Sequence, residues 1–264
     1  MPPPPPTLAQ RSAHEWRWLA GIFLLLGVLL ALNLWQAWRD VEQRERVRLA
    51  QQARTVHDNV ALQLRAIDQT LSGIVAQLPR WRARGDEGIS LNERLRAFSE
   101  AMVGVGTVNL IDAQGRVVAS DRPELVGLDF SRRPYFVTAR QEAADMLIVS
   151  PPFEPVPGLW VLTLARTIPG PDGSFGGMVA AALDSEAFRT LVQSVLYAPD
   201  MQSGLLHADG QRFLAQGETA MPSGINVHYP GLLFARFLGS GAAQQVLRGT
   251  MLPGSDERMV AFQS

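Results

Sequence analysis

Residues 159–188 read LWVLTLARTIPGPDGSFGGMVAAALDSEAF. Leu159–Ile168 is rich in β-branched and aromatic residues, as a half-buried strand should be. Pro169-Gly170-Pro171-Asp172-Gly173 is a tight turn, and Phe175–Leu183 is its partner strand. Ser185–Leu196 then has a helical pattern. A long antiparallel hairpin that feeds a helix sets the fold class as α+β.

The same texture extends in both directions. Upstream, Arg80–Ser90 reads as a loop and Leu91–Met102 as a short amphipathic helix. Val105–Ile111 is a strand, Asp112-Ala113-Gln114-Gly115 a turn, and Arg116–Ala119 a returning strand. Downstream, Leu205-Leu206-His207-Ala208-Asp209-Gly210-Gln211 echoes Leu110-Ile111-Asp112-Ala113-Gln114-Gly115-Arg116. Gln244–Met251 and Arg258–Gln263 flank a Pro-Gly-Ser-Asp turn and echo the later hairpin. Two related antiparallel units are expected, over 80–200 and 201–264. The second lacks a last strand, which would leave an exposed sheet edge. The chain therefore reads as the front part of a longer protein.

The N-terminal quarter is different. Residues 2–6 are five prolines, so 1–17 reads as an extended, disordered tail. Residues 18–38 are apolar, with Trp16, Trp18, Trp35 and Trp38 at the two ends. About 21 residues span ~30 Å as a helix, the thickness of a bilayer core, and tryptophans suit its interfaces. The run is longer than a secretory h-region and no small-residue cleavage site follows it. Over 39–79 apolar residues recur at Leu49, Ala53, Val56 and Val60, then at Leu64, Ile67, Leu71, Ile74 and Leu78. That heptad-like stripe predicts a helical stalk. It either packs on the protein's own domain or pairs with a second copy, or does each along one half. Arginines outnumber those before the span on its C-terminal side. That count favours a cytoplasmic C-terminal side, although long domains translocate largely regardless of charge.

Composition removes several function classes. The chain has no cysteine, so thiol chemistry and cysteine-based metal sites are excluded. All 24 basic residues are arginine, which excludes a P-loop and Schiff-base chemistry. A net charge of −1 argues against a nucleic-acid binder. His14, His57, His207 and His228 are scattered, with no paired metal-ligand spacing. Gly239-Ser240-Gly241 reads as a flexible loop and not as a nucleophile elbow. No catalytic residue and no cofactor are expected in this chain.

Residues 110–136, LIDAQGRVVASDRPELVGLDFSRRPYF, together with the 159–188 segment, resemble the double Cache (PDC-type, PAS-like) extracytoplasmic sensor domain of bacterial transmembrane receptors. The resemblance covers about residues 40–264. It implies a long helix rising from the inner membrane, a membrane-distal PAS-like unit that holds a small ligand, and a membrane-proximal unit. It also implies a second membrane helix and a cytoplasmic output beyond residue 264. A diguanylate cyclase is the first choice of output, with a histidine kinase or chemotaxis transducer as alternatives. A membrane-anchored hydrolase is the reading from another class, and it lacks a nucleophile–base constellation.

The same resemblance implies that Arg133, in Ser-Arg-Arg-Pro-Tyr-Phe, meets the ligand's acid group. Its planar fork of donors suits a carboxylate. Tyr135 and Phe136 would be aromatic walls, and Ser150 and Trp160 are further pocket candidates. Arg166 shares a strand face with Leu162 and Leu164 by alternation, so either a ligand anion or a structural carboxylate is expected beside it. Equally, Arg133 could be capped by Asp129 at a turn entering a helix. Relatives that bind amino acids carry an aspartate where Ala182 stands here, with Asp184 two residues on. A carboxylate or other small anion therefore fits better than an α-amino acid.

Overall fold

The computed structural model describes residues 8–85, 89–142, 146–156, 159–170, 172–217 and 222–264. The prolines at 2–6 lie outside them. The chain forms two compact units, Met1–Gln51 and Gln52–Ser264.

Helix α1 (Leu8–Ala83) runs through both units. It begins at Leu8, so residues 8–17, expected as disordered tail, are helical. No further proline occurs before Pro79, and Ala9, Gln10, Arg11 and Ala13 are good helix formers. In the first unit an 18-residue window has a mean hydropathy of 1.8 and none of it is buried. The helix is long and apolar enough to cross a membrane. At the end of the apolar run the Arg39 guanidinium lies 3.7 Å from the Trp35 ring centre. Pro79, the expected stop, sits inside α1. Leu78 and Trp81 are 1% and 4% exposed. Packing on both sides of the proline offsets the cost of about 3 kcal/mol that it imposes inside a helix.

The second unit is built on an antiparallel sheet in the order β2-β1-β6-β5-β3, with β4 paired to β5. Its strands are β1 (Val105–Ile111), β2 (Val117–Ser120), β3 (Leu147–Val149), β4 (Phe153–Val156), β5 (Leu159–Pro169) and β6 (Phe175–Asp184). Helix α2 (Ile89–Ala101) precedes the sheet, α3 (Pro134–Glu142) crosses from β2 to β3, and α4 (Ser185–Gln193) follows β6. Strand alternation gives the sheet two faces. Leu162, Leu164, Val179, Ala181 and Leu183 face a core shared with Val56, Ile67, Leu71, Ile74 and Leu78 of α1. From Val56 onward the stalk stripe is therefore spent on the protein's own sheet. The opposite face carries Ala165, Met178 and Ala180, covered by Tyr135, Phe136 and Ala139 of α3.

The β1–β2 hairpin motif recurs later in the chain, down to individual bonds. The second copy has β7 (Ser203–Leu206), β8 (Arg212–Gln216), α5 (Leu233–Ser240), β9 (Gln244–Gly249) and β10 (Arg258–Gln263). Gly115 N–H donates to Asp112 O at 3.0 Å, and Gly210 N–H to His207 O at 2.9 Å. Both glycines have positive φ, 90° and 91°. A Cβ on Gly115 would strike Ser131, and one on Gly210 would strike His228. Asp129 Oδ1 accepts from Ser131 N–H as Asn226 Oδ1 accepts from His228 N–H. Gly239 and Ser240 end α5, and Gly241, at φ 64°, caps it. They are not the loose loop the sequence suggested.

One part of the repeat is reassigned. The sequence equates β9 and β10 with β5 and β6. In the structure β9 follows α5 after three residues, as β3 follows α3 after four. The β9–β10 connection has eight residues and the β3–β5 connection nine. β9 and β10 are therefore the counterparts of β3 and β5. Among the described residues no strand takes the central place of β6 in the second copy. Accordingly β7-β8 and β9-β10 are two separate two-stranded sheets. Their side chains still meet: Leu206, Leu247 and Val260 pack around Val227, Phe234, Phe237 and Phe262.

Candidate functional site

The face of the main sheet turned away from α1 carries most of the candidate residues. The turn at Asp129 delivers the chain to α3. Asp129 Oδ1 accepts from the Ser131 backbone N–H at 2.8 Å, and hydrogen bonds from Ser131 hold its carboxyl below the usual range. Asp129 thus caps the turn rather than Arg133. Arg133 opens α3: its carbonyl accepts from the N–H groups of Phe136 and Val137, and Pro134 takes the first helical position.

The Arg133 guanidinium carbon lies 5.3 Å from the Phe130 ring centre and 5.2 Å from that of Phe153. Both contacts are within cation–π range. No carboxylate pairs with Arg133 among the described residues. Tyr135 is 4% exposed, with its ring 6.0 Å from Phe153. Burial pushes its phenol up to about 12, with the Arg133 charge opposing. Phe136 is fully buried and meets Phe175 edge-on at 5.5 Å. Arg133, Tyr135 and Phe136 are therefore gathered at one place, under an aromatic roof that includes Phe130 and Phe153.

Ser150 lies on the same sheet, at its edge. Its N–H donates to Thr163 O at 2.8 Å, and its hydroxyl oxygen accepts from Thr163 N–H at 2.9 Å. The side chain thereby extends the β3–β5 ladder by one step. The other two candidates are placed elsewhere. Arg166 lies across the sheet, where its Nε and Nη2 donate to the Asp68 carboxylate of α1 at 2.6 and 3.1 Å. Of the two partners anticipated for it, the structural carboxylate is present. Trp160 packs its ring against Gly224 of the second copy, away from Arg133.

The sequence reading did not single out the buried polar residues of this sheet face. β6 is the central strand and presents Ala180 and Ala182 to this face. Asn109 of β1 lies opposite Ala180, and Thr163 of β5 opposite Ala182. Asn109 is 4% and Thr163 3% exposed. A polar residue on alternate positions of an apolar strand was the available signal, but alternation alone does not say which face is covered by α3. Nearby, both oxygens of Asp121 are engaged, by Ser99, Thr107 and the Val108 N–H. Asp184 accepts from Glu186 N–H and caps α4. The two carboxylates nearest Ala182 in the strand register are thus in structural use. Among the described residues no group of three or more histidine and acidic residues could hold a metal ion.

Neither a family model nor a curated protein matches the sequence. Solved structures do match the fold. The extracellular domain assigned to a histidine kinase, rpHK1S-Z16, has a TM-score of 0.66 at 22% identity, over 79% of this chain and 83% of that one. An extracellular ligand-binding receptor from Desulfohalobium retbaense has a TM-score of 0.58 at 17% identity, over 75% of this chain. The match spans about a third of that receptor, 34%. The ligand-binding domain of the Pseudomonas fluorescens chemoreceptor CtaA, solved with L-isoleucine, has a TM-score of 0.50 at 17% identity, over 67% of this chain and 70% of that one. The chain has the α+β fold of Cache-type sensor domains: a long N-terminal helix followed by antiparallel sheets.

Proposed function

We propose that this chain is the sensory input module of a bacterial transmembrane receptor. It binds a small carboxylate or other anion on the α3 face of its main sheet, outside the cytoplasmic membrane. The observation that carries this is Arg133. Its guanidinium lies within cation–π range of two aromatic rings at the start of α3, with no carboxylate partner among the described residues. A planar cation in that setting is preorganised for a bidentate acid. The apolar stretch of α1 supports a membrane anchor. The arginine count would place the C-terminal side inside, and translocation of a long folded domain overrides it in this reading.

The remaining parts belong to the same proposal. A second membrane helix and a cytoplasmic output complete the receptor, with a diguanylate cyclase as first choice and a histidine kinase or chemotaxis transducer as alternatives. The membrane-near half of the stalk, around Leu49 and Ala53, pairs with a second copy. Binding moves the equilibrium between two stalk arrangements only as far as the ligand prefers one of them.

The test is a thermal-shift screen of small carboxylates on the whole chain in lipid nanodiscs. A ligand at a hundred times its Kd stabilises by about 2.7 kcal/mol, and that shift is expected to vanish in Arg133→Ala. In Arg133→Lys a weaker response remains, because the charge stays and the fork is lost. A carboxylate shift unaltered by Arg133→Ala overturns the site, and a screen with no shift overturns the sensory reading.

A further inference from the structure

We propose that the second copy holds an open place for one more strand, between β7 and β10 and antiparallel to both, and that the same polypeptide fills it with a segment following Ser264. The segment is an uncharged strand of small and apolar residues, joined to β10 by a short turn. The inference rests on the receptor reading only in taking the chain past Ser264, and it does not use the Arg133 site.

The first copy is the template. There β6 lies between β1 and β5, pairs antiparallel with each, and follows β5 after a five-residue turn. β7 and β10 are the counterparts of β1 and β5, and each has a strand on one edge only, β8 and β9. Single bonds show which main-chain groups line the other edges. Ser264 N–H donates to Ala243 O at 2.9 Å, so by alternation the groups of Met259, Ala261 and Gln263 point away from β9. His207 N–H donates to Gln211 O at 2.8 Å, so those of Gly204 and Leu206 point away from β8. Gly204 and Leu206 stand where Asn109 and Ile111 of β1 meet Ala180 and Met178 of β6. On that side none of the five bonds to another strand among the described residues. The two edges share one apolar layer. Leu206 and Val260 pack with Phe234, Phe237 and Phe262, as Ile111 and Ala165 pack with Tyr135 and Phe136 under α3. Rows of unpaired N–H and C=O groups pair readily with an extended chain. A strand with neighbours on both edges and α5 over one face disfavours charge, and β6 has none before Asp184. A tight turn after β10 lays the chain antiparallel along its free edge, as the turn after β5 does for β6.

Residue-resolved amide exchange on the whole chain in nanodiscs reads the free edges. The N–H groups of Met259, Ala261 and Gln263 are expected to exchange at least about tenfold faster than those of Val260 and Phe262. A second protein carries this chain's own turn and strand, residues 170–184 (GPDGSFGGMVAAALD), after Ser264. In it the N–H groups of Gly204, Leu206, Met259 and Ala261 should slow by at least about tenfold. Ala181→Pro in the appended segment alone should undo this, because proline cannot serve a central strand. Even exchange along β10 in the unextended chain, no slowing in the extended one, or slowing that the proline leaves intact overturns the inference. The first comparison needs no variant and decides the matter if the extended chain does not fold. Slowing on β10 without β7 also overturns it, since the strand then adds to an edge and fills no gap. Slowing in the unextended chain that grows with concentration puts a second copy in the place and overturns the intrachain occupant. No ligand enters these measurements, so their failure spares the Arg133 site. In the gene, a charged segment directly after Ser264 overturns this inference alone, and a stop codon removes the second membrane helix with it.

Discussion

Tyr135 shows what a single residue contributes here. Its phenol sits under α3 with a pKa of about 12, raised by burial against the Arg133 charge. The unfolded phenol titrates near 10. Between pH 10 and 12 the unfolded chain therefore loses a proton that the folded chain keeps, and folding stability falls as pH rises through that window. Ultraviolet titration should find one of the three tyrosines ionising only near pH 12. Denaturation across pH 9–12 should show the fall in stability, and Tyr135→Phe should flatten it. An unchanged slope in Tyr135→Phe would mean that another group governs the alkaline limit.

Between elements, two contacts tie the main sheet to its surroundings. The Asp68–Arg166 pair joins α1 to β5 with both side chains largely buried, 24% and 19% exposed. Asp68→Asn removes the charge and leaves a partly buried guanidinium short of its partner. A loss of about 1–3 kcal/mol is expected in chemical denaturation. Asp68→Leu with Arg166→Leu should recover most of it, since the surroundings are already apolar. Trp160 and Gly224 join β5 to the second copy. Gly224 has φ of 81°, and a Cβ there would strike the indole ring. Gly224→Ala is expected to cost more than 1 kcal/mol through both strain and overpacking. Pairing it with Trp160→Ala relieves only the clash.

At the scale of the whole chain, the anchor and the folded part make separate predictions. The full chain should stay with membranes through an alkaline carbonate wash, as expected of an apolar helix of bilayer length. A chain starting at Gln52 should leave the membrane fraction, because the exposed apolar residues Ile22–Trp38 are gone. Recovery of that shorter chain with the membranes would mean that another surface holds it there. Light scattering on the full chain in detergent, with Leu49→Glu and Ala53→Glu beside it, tests the proposed stalk pairing. A monomer in the wild type would remove the dimer from the proposal.

The sequence by itself determined part of the element list and left out β3, β4 and α5. Local pattern suffices for Val105–Ile111 and Arg258–Gln263, whose ends agree with the structure, because strand alternation and Gly-Pro turns act within a few residues. The apolar span and the first repeat hairpin were legible for the same reason. Tertiary structure alone decided which face each element uses. Pro79 stays helical with Leu78 and Trp81 buried in the core, Trp81 against Phe98 of α2. Arg166 finds Asp68, which is 98 positions away. Asn109 and Thr163 come onto one face of one sheet only because β6 inserts between β1 and β5. The reassignment of β9 and β10 came from pairing and connection lengths, not from residue likeness. Burial, charge pairing and strand order are properties of contacts between remote segments, and no local window contains them.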